Sequence, residues 1–173
     1  MHAPLYAKRG PMSEPRFTSH VRVTREHPPL RTAELLETGE TVTFGTPGYQ
    51  GDFYGFGEGE LRERAGTFDY LLASVAACLT GTLGRALTAR GIPSDGDRLT
   101  SRAEAEVVVE DGVMVMRRIT VRYRLQVEEG KREAAGRAHD HHVGACGVAR
   151  SVMPSLDIRT EIELIPVEEP ARA

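Results

Sequence analysis

The sequence predicts an α+β fold: N-terminal strands, one long central helix, a β-hairpin, short helices and a closing strand. Three observations lead there. Residues 103–127, "AEAEVVVEDGVMVMRRITVRYRLQV", alternate in polarity around an Asp111-Gly112 turn signal, the pattern of a hairpin. Upstream, Leu71, Leu72, Val75, Ala76, Leu79, Leu83, Ala86 and Leu87 recur at helical spacing. Finally, the elements do not alternate as strand, helix, strand throughout, which excludes a doubly wound parallel sheet.

Taken in order, residues 1–15 carry three prolines, a glycine and scattered charges without periodicity, and are expected to form a flexible arm. "RFTSHVRVT" and "LRTAELLETGETVTF" read as short strands, the second broken by a turn at Gly39. "GTPGYQGDFYGFGEGE" holds six glycines in sixteen residues and is expected to be a long irregular loop bearing Tyr49, Phe53, Tyr54 and Phe56. Thr67 then caps the long helix, Asp69 suits its first turn, and Gly91 with Pro93 stops it. Ala73, Ser74, Ala76, Ala77, Gly81 and Gly84 make it small-surfaced, so a closely packed, buried central helix is expected.

After the helix, the hairpin's second arm sets Ile119, Val121, Tyr123, Leu125 and Val127 against Thr120, Arg122, Arg124 and Gln126, one face buried and one basic face in water. "EEGKREAAGRAHDHH" reads as a shorter helix, Cys146 begins or precedes another helical piece, and "DIRTEIELI" closes as a strand. The tail from Pro166 resembles the arm. The expected division is therefore an arm (1–15), one domain (16–165) and a tail (166–173).

Bulk composition bounds the function. The chain has 173 residues, 40% hydrophobic and 27% charged, with a net charge of −3, ordinary values for a globular domain and against a nucleic-acid partner. No continuous apolar run approaches the roughly 20 residues of a bilayer span, and no signal-peptide core precedes the domain. No membrane partner is expected. Two cysteines do not make a disulfide scaffold, and the expected location is cytoplasmic.

Those two cysteines are the first functional candidates. Cys78 shares the helical face of Leu71 and Val75, and free cysteine commonly behaves as a small buried hydrophobe. Periodicity alone favours that structural reading, because spacing within the helix supplies no group that would stabilise a thiolate. Cys146, in "HHVGACGVARS", is either a thiol activated at a helix N-terminus or a buried bystander. A bridge between them needs Cα atoms about 4.4–6.8 Å apart. His139, His141 and His142, with Asp140, offer a weak metal pattern; the plainer reading is a solvated helix end, although a histidinium there could tune a nearby thiol. The aromatics of the glycine-rich stretch suit an apolar pocket or an interface. Arg16, Arg22, Arg25 and Arg31 read individually as surface charges.

Two longer segments carry a resemblance. "GTFDYLLASVAACLTGTLGRALTARGI" and "GACGVARSVMPSLDIRTEIEL" resemble the two cysteine motifs of the OsmC/Ohr family, the osmotically inducible and organic hydroperoxide resistance proteins, over roughly residues 16–165. The resemblance implies an intertwined homodimer with active sites at the interface, and thiol-dependent reduction of organic hydroperoxides. By carry-over, Cys78 is the peroxidatic thiol, Cys146 resolves it, Asp69 is the acidic partner and Arg31, with Arg25 as alternative, is the catalytic arginine. No bound cofactor or metal is implied; electrons would come from an external dithiol, a lipoyl group in the peroxide-resistance branch. The sequence departs from the pattern in Phe68-Asp69-Tyr70, where "NPE" is usual, and in Gly147, where proline commonly follows the second cysteine. A redox-inactive member of the family that binds a small apolar ligand is the competing expectation.

Overall fold

The computed structural model describes residues 15–26, 28–57, 59 and 63–167. Most of the expected arm and tail therefore lies outside the described residues. The chain divides into two compact units, Met1–Gly66 and Thr67–Ala173.

In the first unit three short strands form an antiparallel sheet in the order β1 (Val21–Arg25), β2 (Arg31–Leu35), β3 (Glu40–Phe44). The turn expected at Gly39 joins β2 to β3, with the Thr38 and Gly39 amides donating to Leu35 O. The glycine-rich stretch is not wholly irregular as expected, because Gly48–Tyr54 forms a helix, α1. Position explains the difference. Gly48 opens the helix and Gly55, at φ +70°, closes it in the left-handed conformation that glycine adopts without strain. Only Gly51 occupies the interior, at a cost of about 1 kcal/mol. Phe53, Tyr54 and Phe56 meet ring to ring around this helix end.

The second unit holds the remaining elements: α2 (Thr67–Thr88), β4 (Leu99–Glu110), β5 (Val113–Gln126), α3 (Arg132–Ala145), α4 (Gly147–Val152) and β6 (Asp157–Ile165). β4 and β5 are the expected hairpin, turned at Asp111 and Gly112, both with positive φ. A bulge between Glu106 and Val107 shifts the register once. β6 runs parallel to β5, so the sheet order is β4-β5-β6 and β5 is its centre.

Helix α2 buries Val75, Leu79, Leu83 and Leu87 completely, one residue per turn. They join the inner face of β5, where Ile119, Val121, Tyr123 and Leu125 are also buried, in a single core. Each such side chain contributes on the order of 1.5–3 kcal/mol. The helix ends in a Schellman motif: the Ile92 amide donates to Leu87 O, the Gly91 amide to Thr88 O, and Gly91 has φ +65°. Its other side departs from expectation. Ala73, Ser74, Ala77 and Gly81 are exposed, as are Tyr70 and Leu71, because the unit covers only the sheet-facing stripe. Contrary to the sequence reading, α2 is long and apolar enough to cross a bilayer by length and composition. Its buried stripe places it instead in the core of this unit.

The outer face of the sheet also differs from the bare basic face expected. Arg118 reaches Glu106 on β4 and Asp157 on β6; Arg122 reaches Glu104 and Glu161 in the same way. The acidic residues of both outer strands neutralise the central arginines.

Candidate functional site

The site forms where α2 meets the junction of α3 and α4. Cys78 lies mid-helix on α2, half-buried beside the Val75–Leu79 stripe. Cys146 breaks the chain between α3 and α4, with extended backbone (φ −83°, ψ 114°), and caps α4 by accepting the Ala149 amide on its sulfur at 3.5 Å. It is fully buried. The two sulfurs are 3.2 Å apart, with the Cys146 thiol donating to Cys78 Sγ. That exceeds the roughly 2.05 Å of a disulfide, and both thiols are free.

Their surroundings pull the thiols in opposite directions. The Val148 amide, more than any other group, holds the Cys78 thiol below the usual cysteine range, aided by the Cys146 S–H and, more weakly, by the Thr82 hydroxyl and Gly147 amide. Partial burial works against them without prevailing. Burial pushes the Cys146 thiol up, and the nearby Cys78 sulfur adds to this, while the Ala149 amide offsets part of it. Cys78 is thus the more acidic thiol of the pair, and Cys146 donates its S–H to it. Reading along α2 could not find this, because the stabilising amides belong to residues 147 and 148, distant in sequence.

The other candidate residues are placed differently. Asp69 sits in the first turn of α2, nine residues before Cys78. That is about 13 Å along the axis and two and a half turns round, on the far side from the thiol. The helix therefore does not bring Asp69 to Cys78. Arg31 opens β2 in the first unit; its Nη2 donates to Gly45 O at 3.2 Å, and its Nε is buried without a hydrogen-bond partner. Arg25 ends β1 and is exposed.

The histidine run is only in part the solvated helix end expected: Asp140 and His141 are exposed, but His142 is not. His142 is 1% exposed, its Nε2 lies 2.9 Å from Tyr123 Oη and its Nδ1 lies 2.5 Å from His139 O. Both of its nitrogens are committed, so it is no metal ligand. Among the described residues no group of three or more His, Cys, Asp or Glu is arranged to hold a metal. Burial also lowers the His139 and His142 pKa values, so neither is the histidinium that could have tuned a thiol. Tyr123, expected only as an inward hairpin residue, is the partner that sequence reading missed. The usable signal was a tyrosine on a buried face, whose hydroxyl needs a partner.

A cavity of about 330 Å³ opens between α2 and α3, lined by Thr82, Arg85, Arg90, His141, His142 and Ala145 among others. Thr82 is one turn from Cys78 and Ala145 adjoins Cys146.

The family model described as OsmC-like protein matches residues 63–161, more than half the chain and both cysteine segments. The chain belongs to the OsmC-like family. Its fold agrees. An OsmC-like protein from Mycoplasma pneumoniae superposes with a TM-score of 0.67 at 15% identity, covering 87% of this chain and 99% of that one. An organic hydroperoxide resistance protein OsmC from Legionella pneumophila gives 0.62 at 12%, covering 87% and 99%. The organic hydroperoxide resistance protein OhrB of Bacillus subtilis gives 0.57 at 16%, covering 85% and 98%. At these identities the OsmC-like neighbours establish the fold alone. Comparison with curated proteins returns no match.

Proposed function

We propose that this OsmC-like protein is a thiol peroxidase acting on organic hydroperoxides through Cys78 and Cys146. The observation that carries the reading is the pair itself: sulfurs at 3.2 Å with opposite ionisation tendencies. The Cys78 thiolate attacks the terminal peroxide oxygen; the O–O bond breaks, an alcohol leaves after taking up a proton, and Cys78 becomes a sulfenic acid. Cys146 attacks that sulfur, forming the disulfide and releasing water. An external dithiol, of the lipoyl type, then exchanges with the disulfide and restores both thiols. The cavity between α2 and α3 offers an approach for a small substrate. A reducing cytoplasm suits a cycle that begins and ends as free thiols.

Two further parts of the reading extend beyond the pair. The exposed apolar and small residues of α2, Leu71, Ala73, Ala77 and Gly81, together with exposed Val21 and Val23 on β1, favour a homodimer that covers them. For the catalytic arginine that the family resemblance implies, Arg31 is our choice over Arg25, since its guanidinium is half-buried and keeps an unspent buried donor.

Reduced protein treated with one equivalent of cumene hydroperoxide is expected to lose both free thiols per chain, and Cys78→Ser to consume none. Persistence of both thiols, or peroxide consumption by Cys78→Ser at the wild-type rate, rejects the reading and leaves a redox-inactive, ligand-binding OsmC-like protein.

A further inference from the structure

The Tyr123–His142 contact has no part in the thiol cycle as set out, yet it lies directly behind Cys146. His142 stands one helical turn before Cys146, and both side chains are fully buried. A carbonyl oxygen can only accept, so the short contact with His139 O places the ring proton on Nδ1. In a neutral ring Nε2 is then the acceptor, and the Tyr123 hydroxyl donates a hydrogen bond to it at 2.9 Å. Tyr123 belongs to β5, so this bond ties the last turn of α3 to the centre of the sheet. The His139 ring stands against both, 5.9 Å from Tyr123 and 5.2 Å from His142.

We propose that Tyr123 and His142 act together as positioning residues that hold Cys146 in its protonated form beside Cys78. The proposal rests on the thiol cycle above and adds what keeps the two cysteines in different roles. The groups facing His142 are Tyr123 from β5, His139 and His141 from α3, Cys146 at the junction, and Arg85 and Arg90 across the cavity from α2. With burial keeping His142 neutral and the Tyr123 hydroxyl donating to its Nε2, no cation stands one turn behind Cys146 to stabilise its thiolate. Cys146 therefore keeps the S–H that it donates to Cys78. That proton is consumed in the disulfide step: the Cys146 sulfur bonds to Cys78 sulfur, the S–O bond breaks, and the departing hydroxide takes the Cys146 proton and leaves as water. The hydroperoxide is the sole oxidant.

Losing the Tyr123 hydroxyl frees His142 Nε2 to take up a proton, because a bond that stabilised the neutral ring has gone. A histidinium one turn from Cys146 then stabilises the Cys146 thiolate and removes the donor to Cys78. The test is nuclear magnetic resonance on the reduced protein without peroxide, so its outcome is independent of peroxidase activity, which thiol counting reports separately. In the wild type, ¹⁵N shifts are expected to show His142 neutral with its proton on Nδ1 at neutral pH. In Tyr123→Phe, His142 is expected to titrate about one pH unit higher, and Cys146, followed by its ¹³Cβ shift, about one unit lower. Adding His142→Gln to Tyr123→Phe is expected to return Cys146 to its wild-type titration, since the amide cannot ionise; mere loosening of the core would persist in the double variant. A charged or Nε2-protonated His142 in the wild type overturns the proposal, and that measurement needs no variant to fold. So does an unmoved Cys146 titration in Tyr123→Phe, or a shift that survives in the double variant.

Discussion

Arg25 and Arg31 stand directly opposite each other across the β1–β2 pair. Like charges so placed repel, and the two side chains differ in how they bear it. Arg25 is exposed, whereas Arg31 is half-buried and anchored on Gly45 O. An anchored guanidinium is pre-organised to hold an anion, which fits the role proposed for Arg31.

Arg31→Ala is therefore expected to lower kcat/KM for an organic hydroperoxide by about a hundredfold, the scale for losing one preorganised donor at a developing charge. Arg25→Ala should stay within a few-fold of wild type. Steady-state kinetics with a saturating dithiol reads both; equal losses would assign the role to the pair rather than to Arg31.

The lowered Cys78 pKa sets the pH dependence of the first step. The thiolate is the reactive form, so the rate rises with pH and levels off once Cys78 is ionised. The midpoint is expected below the roughly 8.5 of an unperturbed cysteine thiol. Cys146→Ala removes one of the groups that lowers it, so the midpoint should move upward while sulfenic acid accumulates unresolved. Single-turnover trapping of the sulfenic acid with dimedone, across pH, measures both effects. A Cys78 midpoint at or above the ordinary cysteine range in the wild type contradicts the reading of Cys78 as the more acidic thiol.

Stability rests on the stripe of α2 and on its end. Leu79→Ala is expected to cost about 2–5 kcal/mol, since the side chain is fully buried and leaves a cavity. Gly91→Ala should cost about 1–2 kcal/mol, because φ +65° is strained for any residue with a Cβ. The nearest atom to that Cβ would be Lys131 Nζ at 3.6 Å, an ordinary contact, so the cost is conformational and not steric. Urea unfolding followed by circular dichroism separates the two: a Gly91→Ala protein as stable as wild type would mean that the turn relaxes.

Local pattern carried most of the second unit. The Asp111–Gly112 turn, the inward residues of β5 and the Gly91 stop are all short-range signals, and the structure places each where the sequence does. Long-range pairing was illegible. Nothing near Cys78 in sequence reveals the Val148 amide, and nothing near Arg122 announces Glu104 and Glu161. Composition misled at α1, where glycine content outweighed glycine position, and at "HDHH", where polarity suggested solvent but His142 is enclosed. Cys146 precedes a helical piece as the sequence suggests, yet its place directly after α3 and the capping of α4 by its sulfur appear only in three dimensions.

The charge ladder on the outer face of the sheet bears on how copies of this protein avoid one another. β4 and β6 are the outer strands of this sheet, and on the face they turn outward Glu104, Glu106, Asp157, Glu161 and Glu163 outnumber Arg102 and Arg159, while Arg118 and Arg122 sit on β5 between them. Two such sheets approaching edge to edge present like charge to like charge, so the arrangement that balances each sheet internally also discourages runaway strand addition and fibril growth.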